Sequence, residues 1–144
     1  MPKPSYRSLP HTTDAYIEAA GATLEEALQF AGMALTDTMC DVDSISPKLT
    51  DRIEASGRDE ITLLYDWLES ILLRFDLDHK VYSRFNVAPL TRSAAGLSAN
   101  AEASGEMYDR QKHGSKVEVK AVTYHKMEVV RENNSTMVRF ILDL

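Results

Sequence analysis

The sequence predicts an α+β fold: a single compact domain, residues 1–144, in which an antiparallel or mixed sheet carries two packed helices. Three observations lead there. Two stretches repeat apolar residues at helical spacing. Several others alternate with a period of two. The order is strand, helix, strand, helix and then a run of strands, not a regular strand–helix alternation.

Taken in order, "DAYIEAA" alternates, with Ala15, Ile17 and Ala19 on one face. "TLEEALQFAGMALTDTM" predicts the first helix, with Thr23 and Glu26 as a capping box. Its small residues suit close packing against a sheet, and Gly32 weakens it slightly. "SISPKL" reads as a loop, and "DRIEA" as a short strand able to pair beside the first. "DEITLLYDWLESILLRFD" is the strongest helical signal. Asp59 is its N-cap, and Ile61, Leu64, Trp67, Leu68, Ile71, Leu72 and Phe75 form one apolar stripe. Trp67 is expected as a core anchor. In "KVYSRFNV", Val81, Phe85 and Val87 share a parity, and "TRSAAGLSANAEASGE" reads as a weak strand in a meander. "KVEVKAVTYHKMEVV" is the longest strand candidate. The turn "ENNS" joins it to "TMVRFILDL" as an antiparallel hairpin.

Composition excludes several classes. The net charge of −6 argues against a general nucleic-acid binder held by phosphate contacts. Acidic residues crowd the stretch from Asp14 to Glu60, whereas Arg110, Lys112, Lys116, Lys120 and Lys126 make a basic stretch. These are two solvated faces or a docking surface. A single cysteine, Cys40, excludes an intrachain disulfide and a cysteine-based zinc site, and its acidic neighbours make it a poor nucleophile. No apolar run is long enough to span a bilayer and no signal peptide is visible, so a cytoplasmic protein without a membrane partner is expected. Phosphate-loop and nucleophile-elbow motifs are missing.

Two places remain. His11, Thr12, Thr13 and Asp14 precede the first strand, as an entry turn or as a ligand cluster. Asp143 interrupts the apolar ending "FILDL", either as a solvated strand end or as part of a set of anionic oxygens. With Asp14, a main-chain carbonyl and the terminal carboxylate, that set would suit Ca²⁺, Mg²⁺ or Mn²⁺ and not zinc. It requires the two ends of the chain to be neighbours. His113 and His125, twelve residues apart along an extended strand, cannot share a metal.

The stretches "HTTDAYIEA", "TLEEALQFAGMALTDTM", "LLYDWLESILLRFD", "VEVKAVTYHKMEV" and "VRFILDL" resemble the archease family in order and spacing over nearly the whole chain. The resemblance implies a compact α+β domain that is not an enzyme. It implies an accessory protein that activates the GTP-dependent RNA ligase of the RtcB type in tRNA splicing, promoting its guanylylation and repeated turnover. Contact with tRNA would come indirectly, through the ligase. The family's metal ligands fall here on Asp14, Asp143 and the main-chain carbonyl of Leu144, with calcium expected first and magnesium or manganese as alternatives. Lys120 and His125, on the basic strand, are candidates for docking on the ligase or facing RNA. Pro10 stands where the family usually has an acid, Thr13 replaces the usual Ala, and Gly114-Ser115 replaces Glu-Pro. Against the activator stand two other classes: a metal-dependent phosphoesterase using Asp14, Asp143 and His11, and a general chaperone or modulator of nucleic-acid-processing enzymes.

Overall fold

The computed structural model describes residues 4–9 and 14–144. In chain order the elements are β1 (Tyr6–Leu9), β2 (Ala15–Gly21), α1 (Leu24–Met39), a 3-10 turn (Val42–Ser44), β3 (Leu49–Gly57), α2 (Glu60–Asp78), β4 (Lys80–Val87), β5 (Thr91–Ser93), β6 (Gly96–Met107), α3 (Arg110–His113), β7 (Ala121–Glu132) and β8 (Ser135–Asp143). The fold is α+β, as predicted, but the strands form two antiparallel sheets instead of one. The first has the order β1-β2-β8-β7. The second has the order β3-β6-β4, with β5 hydrogen-bonded to β6.

Both helices lie between the sheets. α1 packs on β2 and β4, and α2 packs on β3 and β7. A helix gripped from two sides buries more than one stripe. α1 accordingly buries Leu24, Ala27, Leu28, Phe30, Ala31, Ala34, Leu35 and Met39. At Gly32 a Cβ would come within 2.9 Å of the Phe85 ring, so the missing side chain sets how near β4 approaches α1. Trp67 of α2 is fully buried, and its indole N–H donates to the Leu28 carbonyl of α1 at 2.8 Å, tying the two helices together.

The helix starts follow their caps. Thr23 Oγ1 accepts from the Glu26 N–H, while Glu26 reaches past the cap to accept from the Ala22 N–H. Asp59 caps α2, and Thr62 completes the reciprocal box.

The strands hold the departures from expectation. β3 pairs with β6, not with β2. The small, polar "GLSANAEASGEM" is the central strand of the second sheet, where Gly105 permits close approach: a Cβ there would lie 1.9 Å from the Val81 carbonyl oxygen. In β4 the register slips by one residue between Tyr82 and Arg84. The slip puts Tyr82 and Phe85 into the main core, while Val81 joins Cys40, Val42 and Ile45 in a second, small cluster. Finally, the longest predicted strand begins only at Ala121, because residues 116–120 run extended along the end of α1, with the Lys116 N–H donating to the Met39 carbonyl.

Candidate metal site and its surroundings

The strands β2 and β8 pair from Gly21↔Thr136 to Ala15↔Leu142. The next position on each strand is an aspartate, Asp14 on one side and Asp143 on the other. By strand alternation both share parity with the pair Glu18↔Arg139, which lies on the face away from the helices and is joined by an ion pair of 2.7 Å. The two ends of the chain are therefore neighbours, as the ligand reading of Asp143 requires. Carboxylates facing each other across an antiparallel pair repel unless something positive lies between them.

The main chain supplies the rest. Asp143 pairs on its other side with Ala121, and its carbonyl accepts from the Lys120 N–H at 2.8 Å. The next residue in sequence, Leu144, lines the same cavity as Asp14. Two carboxylates and a carbonyl are hard oxygen donors, a set that fits Ca²⁺, Mg²⁺ or Mn²⁺. Among the described residues no group of three or more His, Cys, Asp or Glu side chains is placed to hold a metal. His11, Thr12 and Thr13, with Pro10, fall outside the described residues.

Lys120 and His125 are placed differently from each other. Lys120 touches the site through its N–H, with its side chain exposed. His125 lies in a bulge that the alternation of β7 does not reveal. Thr123 pairs with Ile141 and Glu128 with Arg139, so Tyr124–Met127 stand opposite Phe140 alone. Lys126 turns through φ 56°, and its ammonium lies 5.7 Å from the centre of the Tyr16 ring. Tyr124 swings to the other side and stacks on Tyr65 of α2 at 4.1 Å.

Two clusters were invisible in the sequence. Beside Asp14, Lys116 pairs with Asp37 at 3.0 Å, and the Tyr6 hydroxyl donates to the same carboxylate at 3.4 Å. Burial, reinforced by Asp37, pushes the Tyr6 phenol up to about 12. At the far end of β6, buried Glu106 accepts from Lys112 (2.7 Å), the Ser46 N–H (2.9 Å) and buried His113 (2.8 Å). Lys112, then Ser46 and His113, hold the Glu106 carboxyl far below the ordinary glutamate range. These contacts pair Lys112 and Lys116 of the basic stretch with carboxylates of this same chain. No periodicity links residues so far apart in sequence.

Among the described residues no helix is long and apolar enough to cross a membrane.

Residues 6–144 match the model of the Archease protein family (MTH1598/TM1083). Protein archease of Methanopyrus kandleri is 38% identical over 139 residues, covering 96% of this chain and 99% of the relative. Protein archease of Sulfolobus acidocaldarius is 34% identical over 134 residues, covering 93% and 94%. The solution structure of Methanobacterium thermoautotrophicum protein 1598 superposes with a TM-score of 0.83 at 31% identity, covering 99% of this chain and all of that one. A Thermotoga maritima protein described as an archease and possible chaperone has the same fold, with a TM-score of 0.60 at 19% identity. The chain belongs to the archease family.

Proposed function

We propose that this chain is an activator of a GTP-dependent tRNA-splicing RNA ligase, promoting the ligase's guanylylation and multiple turnover, and that it does so through a divalent metal held by Asp14, Asp143 and the Leu144 carbonyl. Membership of the archease family supports the proposal. The observation that carries it is the meeting of Asp14 and Asp143 at the end of the β2–β8 ladder.

A bound divalent ion supplies positive charge to phosphate oxygens during phosphoryl transfer. The chain's own groups hold and present that charge. Asp14 comes from the bend before β2, and Asp143 from the last position of β8. The hydrogen bond from the Lys120 N–H fixes the Asp143 main chain. Both strands belong to a sheet packed on the helices, so the carboxylates sit on a rigid edge. The exposed Lys120 and His125 side chains dock on the ligase, and tRNA is reached only through it. Calcium is the first choice of ion, with magnesium or manganese as substitutes. The chain acts as a cytoplasmic accessory protein and makes or breaks no covalent bond itself.

The test is joining of tRNA halves by the cognate ligase at limiting enzyme, with GTP present. Repeated turnover is expected only when this protein is added, and Asp14→Ala should abolish the stimulation while the fold survives. Equal turnover with and without the protein would overturn the proposal. Hydrolysis of a generic phosphate ester by the protein alone with Mn²⁺, lost in Asp14→Ala, would point to an enzyme instead.

A further inference from the structure

Exposed apolar side chains gather on the outer side of α2. Tyr65, Glu69, Leu73 and Leu77 follow one another at four-residue intervals, with Asp76 beside them, and form a ridge outside the buried stripe of the helix. Leu73 is 45% exposed and Leu77 72%. Tyr124, which the bulge in β7 swings onto Tyr65, continues the ridge and is itself exposed. We propose that this ridge docks a basic, partly apolar segment of a protein partner, and that the partner is the RNA ligase. The choice of partner rests on the reading under "Proposed function". The contact is additional to Lys120 and His125 and opposite to them in charge.

Charge selects the partner. α2 carries five acidic residues and one basic residue, Arg74. Arg74 is turned to β3, where it donates to the Arg52 carbonyl at 2.9 Å. Among the described residues Glu69 and Asp76 have no ion-pair partner. Asp76 and Asp78 lie in the last turn of α2, which holds no basic residue. The free carbonyls there already carry partial negative charge, so these acids oppose the helix dipole. A cation brought by a partner relieves that repulsion. An enzyme that holds RNA by its phosphates must present cationic surface, and this ridge complements it.

The surface also has room for an anchoring side chain. At Asp76 a cleft of about 350 Å³ opens against Phe75, Tyr108 and the exposed Val117. Phe75 and Tyr108 meet edge-on at 5.2 Å, which holds both rings in place. Asp76 and Glu118 outnumber Arg110 on the walls. An apolar residue of the partner enters this cleft while its lysines or arginines meet the carboxylates around it, an arrangement of buried anchor and charged rim common to protein interfaces.

The experiment is a calorimetric titration of the full chain into the cognate ligase, without RNA, at low and at high salt. The wild-type chain is expected to bind, and to bind more weakly at high salt. Leu73→Ser combined with Leu77→Ser should weaken binding by about tenfold or more. Glu69→Lys combined with Asp76→Lys should weaken it comparably and remove most of the salt dependence. Glu54→Lys combined with Glu102→Lys alters the net charge equally at exposed positions of the second sheet, and should bind as the wild type does. Surface changes of this kind should leave the melting temperature close to that of the wild type, which shows that each variant folds. If the wild type binds the ligase and both ridge variants bind equally well, the ridge is wrong and the activator reading stands. If the wild type does not bind, both fall. An equal loss in the Glu54 and Glu102 variant would assign the effect to net charge and overturn the ridge. Sedimentation of the chain alone as a dimer that the Leu73 and Leu77 substitutions disperse would give the face to a second copy and overturn it as well.

Discussion

His113 Nε2 stands 2.8 Å from Glu106 Oε2, and both residues are buried. The ring's other nitrogen accepts from the Asp109 N–H at 2.9 Å, so Nε2 carries the proton and donates it to the carboxylate. The pair, with Lys112 and the Ser46 N–H, fastens the loop after α1 to the end of β6. Replacing His113 by Leu removes one of three donors to Glu106 Oε2 and leaves the Asp109 N–H without its acceptor, which costs about 1–3 kcal/mol. His113→Gln should recover part of the loss. Urea unfolding of the three proteins checks this, and equal midpoints for Leu and wild type would contradict it.

Acid should weaken the same fastening in a defined window. Folded Glu106 is held below the ordinary glutamate value of 4.5, with Lys112 as the first cause. Below pH 4.5 the unfolded chain takes up a proton that the folded chain refuses, so stability falls as the pH falls towards the folded value. The gap in melting temperature between wild type and Glu106→Gln should be widest above that pH and should narrow below it. A constant gap from neutral to strongly acid solution would exclude the linkage.

Gly105 is expected to be intolerant of any side chain. Its Cβ position lies 1.9 Å from the Val81 carbonyl oxygen and 2.7 Å from Tyr82 Cα, both backbone atoms that cannot swing away. Gly105→Ala should destabilise by about 1–3 kcal/mol or more, read from thermal unfolding. A wild-type melting temperature would show that β4 can move outward.

Trp67 should be worth more than its hydrogen bond. It is fully buried between the helices and meets Phe85 edge-on at 5.7 Å. Trp67→Ala should cost about 3–5 kcal/mol. Trp67→Phe should cost much less, since it keeps most of the apolar contact and loses only the bond to Leu28.

Legibility in the sequence followed how local each determinant is. α2 was legible because its cap, Asp59, and its stripe from Ile61 to Phe75 lie within one segment. The closing hairpin was legible for the same reason. β6 was misjudged as weak because its Ala, Ser and Gly residues look unsuited to a strand, yet small side chains are what its central place between β3 and β4 requires. The bulge at Tyr124–Met127 and the slip between Tyr82 and Arg84 break alternation through partners on other strands, and nothing local announces them. The grouping of Asp14 with Asp143 was suggested by their hard oxygens but could not be derived from the sequence, because pairing of β2 with β8 joins opposite ends of the chain. The pairing of Lys116 with Asp37 was not found at all, since only the closed fold brings those distant residues together.

The most direct test of the central claim is a calorimetric titration of Ca²⁺ into the wild-type chain, Asp14→Asn and Asp143→Asn. One ion per wild-type chain is expected, with binding lost in both variants. Absence of binding to the wild type, or equal binding in all three proteins, would contradict a metal site at the end of the β2–β8 ladder.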